Sequence, residues 1–165
     1  MMPDDTQNIL THPAVVRVRD ALVAAGLADT VSALPQSVHT AKAAADVLGC
    51  SVGEIAKSIV FRAADARAVL VIASGANRVD SRKVAALIAQ SIGKADADFV
   101  RTRTGFVIGG VAPFAHREMP ITLMDEALLQ YTSVHPAGGH PNAMFRITPM
   151  DLARVAGARI ADIAE

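Results

Sequence analysis

The chain has 165 residues, of which 52% are hydrophobic, and it carries 16 basic and 16 acidic side chains. This hydrophobic content excludes an intrinsically disordered chain. A net charge of zero argues against a protein that coats DNA or RNA, and an aromatic content of 4% argues against stacking platforms for single strands. A small, local contact with RNA is still compatible with this composition. We expect a single domain over residues 1–165, in which residues 1–11 are frayed.

Cysteine and histidine usage restricts the chemistry. Cys50 is the only cysteine, so neither an intrachain disulfide nor a metal cluster of several cysteines can form. The five histidines lack the sequence spacing of metal ligands, and we expect no metal and no cofactor. No apolar run is long enough to cross a bilayer, and the first residues lack the basic group of a secretory signal. These features predict a cytoplasmic protein without a membrane or DNA partner.

The first third of the chain predicts helices around one short strand. Apolar residues at spacings of three and four predict a helix over 12–27, and a short apolar segment predicts a strand at 31–34. Thr40 is a good N-cap and Gly49 a good terminator, which together predict a helix over 41–48.

The middle of the chain predicts a hairpin followed by helices. Apolar residues at 58–62 and a continuous apolar run at 68–73 predict two paired strands, the second buried on both faces. A helix is predicted through residue 90 after a cap at Asp80 or Ser81, and a short helical turn is predicted before Gly105.

The last third predicts strands and one helix. Strands are expected at 121–124, 131–134 and 144–147, a helix at 150–156, and a short strand or helical turn in 158–165. Helices and strands mix without strict alternation. This order favours an α/β (α+β) fold with a mixed sheet over a doubly wound parallel sheet.

Two segments stand out as candidates for chemistry, whereas the standard signatures of nucleotide-binding, zincin and serine-hydrolase sites are missing. Lys57 lies between apolar residues, so its ammonium either reaches solvent or grips a phosphate or ester oxygen in a cleft. The loop at 109–113 has two glycines that let backbone N–H groups hold a carbonyl or an oxyanion. It can equally be an ordinary tight turn.

A third segment, 137–141, contains Gly138, Gly139 and His140. Small residues here allow close approach of a ligand, or simply form a hairpin connection. His135 and His140 flank the glycines and are either functional or structural. Cys50 follows a helix-ending glycine and is expected to be a small buried hydrophobic residue rather than a nucleophile.

The ordered set of segments resembles the YbaK/prolyl-tRNA-synthetase-associated editing domain family of free-standing aminoacyl-tRNA deacylases. The resemblance covers about residues 12 to 160 and is carried by Thr40 and by segments 55–61, 69–75, 78–80, 104–114, 125–129, 137–143 and 148–152. It implies a curved, mixed, barrel-like β-sheet with helices packed around it. It also implies hydrolysis of the ester that joins a wrong amino acid, such as Ala, Ser, Thr or Cys, to a non-cognate tRNA.

The resemblance also implies roles for particular residues. Lys57 matches the family lysine that contacts the terminal nucleotide, and the loop matches the Gly-x-x-x-Pro loop that holds the aminoacyl carbonyl. The expected catalytic residues are Lys57, Gly109 and Gly110. The expected substrate-binding residues are Thr40, Phe61, Val111, Ala112, Pro113, Gly138, Gly139 and His140. The expected partners are the tRNA acceptor end and an aminoacyl-tRNA synthetase.

One position departs from the family pattern. Domains inserted in bacterial prolyl-tRNA synthetases carry a functional histidine near the start of the strand after the last glycine-rich loop. Here that neighbourhood reads Asn142-Ala143-Met144-Phe145, and His140 lies a few residues earlier. Two other interpretations are left open: a catalytically silent module that binds tRNA or a partner, and a hydrolase of small molecules unrelated to tRNA.

Overall fold

The computed structural model describes residues 2–165, with side chains described from Thr6 onward. The helices are α1 (Met2–Leu10), α2 (Pro13–Ala24), α3 (Ala41–Leu48), α4 (Ser81–Ile88), α5 (Ala97–Thr104) and α6 (Pro149–Ala156). The strands are β1 (Ser32–Ala33), β2 (Ile55–Ala63), β3 (Ala68–Ser74), β4 (Ile92–Lys94), β5 (Ile121–Asp125), β6 (His135–Pro136), β7 (Ala143–Met144) and β8 (Arg159–Ala161). No helix within residues 2–165 combines the length and apolar character needed to cross a membrane.

Six strands form one mixed sheet in the order β4-β2-β3-β5-β8, and β6 pairs with the start of β2. Strand β2 runs antiparallel to β3 and β4, whereas β5 is parallel to β3 and β8 is parallel to β5. The short pair β1 and β7 forms a separate ribbon. The expected α/β class and mixed sheet are confirmed. The barrel-like closure is not: among the described strands, β4 and β8 are edges paired on one side only.

Strand β3 is the centre of the fold, and each of its residues is buried. Its Leu70 and Ile72 belong to the core that α2, α5 and α6 cover, whereas Val69, Val71 and Ala73 pack on the opposite side with α4. A continuous apolar run is what a strand covered on both faces requires. The predicted hairpin of two strands, the second buried on both faces, is therefore confirmed.

The helix that borders the site begins and ends where its sequence predicts. The hydroxyl of Thr40 accepts a hydrogen bond from the N–H of Ala43 at 3.1 Å, which satisfies a free donor at the start of α3. Gly49 ends the helix with a φ of +70°, a conformation that glycine adopts without steric cost.

Four local predictions differ from the structure. The strand expected at 144–147 is limited to β7, and Ile147 makes only an isolated bridge. Residues 131–134 form no strand, because a 3-10 turn over Glu126–Gln130 precedes them and only Val134 makes an isolated bridge, to Ile147. Strand β4 was not anticipated. The segment expected to be frayed contains helix α1, whose Ile9 packs with Val15 and Ala143; Met1 lies outside the described residues.

Candidate active site

A cavity of about 630 Å³ lies beside the first residues of β2, and Lys57 and the glycine loop both line it. The wall also includes the start of α3, with Thr40, and Ala137 and Pro141 of the loop before β7. This volume is within the range of small-molecule and cofactor sites. Segments far apart in the sequence therefore meet around one cavity, and Lys57, Gly109 and Val111 all line its wall.

Lys57 is half-buried on β2, where it pairs across the hairpin with Ala73. None of the ion pairs between described residues involves it. An ammonium without a carboxylate partner, in the wall of a cavity, is available to an anionic or polar ligand.

The backbone of the glycine loop has a specific pattern of used and unused donors. The N–H of Gly110 donates to the carbonyl of Val107 at 2.9 Å and closes a turn. The N–H groups of Gly109, Val111 and Ala112 make no hydrogen bond with any described residue. Gly109 has a φ of +89° and is exposed, whereas Val111 is buried. The N–H groups of the residues beside Gly110 are thus available to a substrate carbonyl, whereas the N–H of Gly110 is already used.

His116 forms a hydrogen bond with Ala112, near the C-terminal end of this loop. Its Nε2 lies 2.6 Å from the carbonyl oxygen of Ala112, so the ring donates from Nε2 and its Nδ1 is a buried acceptor without a partner among the described residues. The ring also makes an edge contact with Phe106, which Arg17 covers at 4.6 Å from the ring centre. Burial lowers the pKa of His116, and Arg17 lowers it further. The neutral ring is therefore favoured.

A second cavity of about 560 Å³ adjoins the first, because Ser58, Ile108, Gly109 and Val111 line both. Phe61 lines this second cavity and not the first. These four residues thus form a partition between the two hollows, and Gly110 lines neither of them.

Ser58 belongs to that partition and was not anticipated as a site residue. Its hydroxyl oxygen is buried and has no hydrogen-bond partner in the described part of the chain. It lies next to Lys57 on β2, opposite Ile72. The sequence signal that could have identified Ser58 is its position directly after the candidate lysine in a predicted strand.

Several predicted binding residues do not line either cavity. Ala112 and Pro113 are buried and are absent from both cavity walls. Gly138 and Gly139 are buried, and a Cβ added to Gly139 would lie 2.7 Å from the carbonyl oxygen of Ala14. The close approach that Gly139 permits is therefore that of helix α2.

His140 faces the start of α2 rather than either hollow. Its ring lies 5.6 Å from that of His12, centre to centre, and its Nδ1 accepts a hydrogen bond from the N–H of Asn142 at 3.0 Å. Burial lowers the pKa of His140, and His12 lowers it further. These contacts fix the loop against the helix.

Comparisons with known proteins agree with this architecture. A protein named YwhH from Bacillus subtilis (strain 168), whose function is uncharacterized, is 29% identical over 130 residues, which cover 79% of this chain and 83% of that protein. A crystal structure described as a proposed trans-editing enzyme for prolyl tRNA synthetase is 42% identical, with a TM-score of 0.88, over 93% of this chain and 98% of that one.

A second solved structure, that of the hypothetical protein APE2540, is 28% identical, with a TM-score of 0.83, over 90% of this chain and 99% of that one. The sequence pattern of the aminoacyl-tRNA editing domain matches residues 35–155. That match spans most of the chain, from before α3 to α6, and includes every residue that lines the two cavities. The chain belongs to the aminoacyl-tRNA editing domain family.

Proposed function

We propose that the protein is a trans-editing hydrolase that removes a small amino acid, such as Ala, Ser, Thr or Cys, from a non-cognate tRNA. The observation that carries this proposal is the meeting of Lys57, without a carboxylate partner, and the unused N–H groups around Gly109 and Val111 at one cavity. The family and the likeness to a proposed trans-editing enzyme support it.

The chemistry requires little beyond positioning. The oxygen of a water molecule attacks the carbonyl carbon of the aminoacyl ester, and the carbonyl oxygen becomes an oxyanion. Collapse of this intermediate breaks the bond to the ribose oxygen, which takes up a proton, and the amino acid and the intact tRNA leave. An ester is already activated, so stabilising the oxyanion and placing the water can suffice.

Each group has a role in this scheme. Lys57 supplies positive charge to the terminal nucleotide of the acceptor end or to the developing oxyanion. The N–H groups of Gly109 and Val111 hold the carbonyl, and donors of this kind are typically worth about 2.7–4 kcal/mol each. His116 acts indirectly, as a positioning residue, because it fixes the carbonyl of Ala112 behind them.

The two adjoining cavities suit the two parts of the substrate. The first, which contains Lys57, would accept the terminal adenosine, and the second, with Phe61 on its wall, would accept the amino-acid side chain. A deacylase that acts in trans would meet its substrate after a synthetase releases the mischarged product, so a synthetase is the expected partner.

A panel of purified tRNAs charged with Ala, Ser, Thr or Cys tests the proposal. The protein should release at least one of these amino acids faster than spontaneous hydrolysis does, and uncharged tRNA should compete. Binding of tRNA without hydrolysis of any panel member would contradict the proposal and identify a silent binding module. Hydrolysis of small esters without competition by tRNA would identify an unrelated hydrolase.

A further inference from the structure

Three side chains from separate segments meet near the first residue of β2. The metal-binding atoms of Cys50, Glu54 and His135, namely a thiol sulfur, a carboxylate oxygen and a ring nitrogen, all lie within 4.8 Å of one another. None of the three residues lines either of the two cavities described above. The spacing of the histidines along the chain gave no sign of such a group, because His135 arrives through the parallel pairing of β6 with β2.

We propose that Cys50, Glu54 and His135 form a zinc site that is separate from the editing cavity and does not depend on the proposed function. Sulfur, nitrogen and oxygen donors together match the ligand preference of Zn²⁺. Bond lengths of about 2.0–2.3 Å in a tetrahedron place ligand atoms about 3.3–3.6 Å apart. The three atoms, which lie within 4.8 Å of one another, would close to those distances by side-chain rotation when the metal binds. Each residue is half-buried, so solvent can supply the fourth ligand.

The backbone positions of the three ligands are fixed independently. Cys50 follows the left-handed Gly49 at the end of α3, and its N–H donates to the carbonyl of Ala45 at 3.0 Å. Glu54 ends a 3-10 turn directly before β2, and His135 is paired with Ile55 in the sheet. A preformed arrangement lowers the entropic cost of binding a metal.

A neighbouring hydroxyl orients one of the three ligands. The Ser51 hydroxyl donates to a Glu54 carboxylate oxygen at 3.2 Å and orients it.

Cobalt titration of the untagged full-length chain under reducing conditions tests this site. Cys50 is the only thiol, so a thiolate-to-cobalt charge-transfer band reports its ligation alone. We expect the band to saturate at one Co²⁺ per chain and to disappear when Zn²⁺ is added. Zn²⁺ should also raise the melting temperature, because it binds the folded state.

Two variants decide between a three-ligand site and a cysteine that binds metal alone. His135→Ala and Glu54→Gln should each lower the affinity for Co²⁺ at least about tenfold. Substitution of a residue that only hydrogen-bonds to a ligand already causes a loss of that size. The matched controls His39→Ala and Asp46→Asn should bind as the native chain does. The proposal is overturned if the native chain gives no band at stoichiometric Co²⁺. It is also overturned if both cluster variants, folded by circular dichroism, retain native affinity.

Discussion

The Nε2 atom of His116 lies 2.6 Å from the carbonyl oxygen of Ala112, and this bond joins the two ends of the turn that follows the glycine loop. The ring also makes an edge contact with Phe106, and the carbonyl of the preceding residue, Ala115, accepts a hydrogen bond from Arg17. A loop held in this way can present its N–H groups without reorganising when charge develops on a substrate.

Removal of this bond should lower both stability and activity. His116→Ala leaves the buried carbonyl of Ala112 without its donor, at a cost of about 1–3 kcal/mol in the free energy of unfolding. Deacylation should fall mainly in kcat, because the loop still forms but its donors are less well placed. His116→Gln, whose amide can donate from a similar position, should recover part of both losses.

The exposed neighbour Arg117 provides the control for that experiment. Its side chain makes no hydrogen bond with the described residues, so Arg117→Ala should melt and react as the native protein does. Urea denaturation and single-turnover deacylation measure the two quantities. Equal activity of His116→Ala and the native protein would remove His116 from the positioning of the loop.

The pH dependence of stability should carry the signature of this histidine. Burial lowers the pKa of folded His116 below its ordinary value of 6.5, and Arg17 lowers it further, although the hydrogen bond to Ala112 opposes both. The unfolded chain therefore takes up the proton first as the pH falls. The stabilising contribution is complete above pH 6.5 and is lost between 6.5 and the lower folded pKa.

Melting temperatures from about pH 8 to about pH 5 test this sign. The native protein should lose stability over the lower part of that range, and His116→Gln should lose less. His135 and His140 contribute in the same direction, because burial lowers the pKa of each. A steeper loss in His116→Gln than in the native protein would contradict the prediction.

Replacement of Lys57 should separate activity from folding. Lys57→Ala removes the cation from the cavity wall, and kcat/KM for deacylation should fall by about 10²–10³. The melting temperature should change little, because the ammonium takes part in none of the ion pairs of the described chain. Lys42, exposed on α3 and near Asp46, provides the control, and Lys42→Ala should leave deacylation unchanged. Undiminished hydrolysis by Lys57→Ala would exclude the lysine from the mechanism.

Gly110 should tolerate no side chain. A Cβ there would lie 2.8 Å from both the carbonyl carbon of His140 and Cδ of Pro141, and the first of these is backbone that cannot move aside cheaply. Gly110→Ala should therefore displace the glycine loop and reduce deacylation as well as stability.

A glycine far from the cavity separates the two effects. Gly157 has a φ of +61° and no atom within 4 Å of an added Cβ, so Gly157→Ala costs about 1 kcal/mol of backbone strain alone. This variant should melt earlier but hydrolyse normally under conditions in which it is folded. If Gly110→Ala hydrolysed as well as Gly157→Ala, the loop would not hold the carbonyl.

Ser58 provides a prediction about stability alone. Its buried hydroxyl has no partner among the described residues, and such a group costs free energy when it leaves water. Ser58→Ala should keep or raise the free energy of unfolding, by up to about 1 kcal/mol. Thermal and urea unfolding measure it. A clear loss of stability would show that the hydroxyl has a partner, such as an ordered water molecule.

Local sequence signals were sufficient where one segment determines its own structure. The Thr40 cap and Gly49 delimit α3, and the apolar run at 68–73 identifies the central strand. The resemblance, in turn, singled out Lys57 and the glycine loop, which line one cavity. Their chemical roles stay predictions.

The rest depended on contacts between distant segments. Strand β4 has only three residues. It is a strand because it pairs with β2, and its own composition does not predict one. Gly139 lies against Ala14 of α2 and Gly138 lies against Val31 and Ala143, and a loop sequence does not reveal either contact. Likewise His135 reaches Cys50 only through the pairing of β6 with β2.

The packing of Gly139 against Ala14 has a consequence for the order of assembly. One wall of the cavity rests on helix α2, which lies far earlier in the sequence than the wall itself. The hollow is therefore complete only when these two distant segments have come together. Such long-range closure is slow, so we expect the hairpin of β2 and β3 to gain protection from hydrogen exchange before the cavity does.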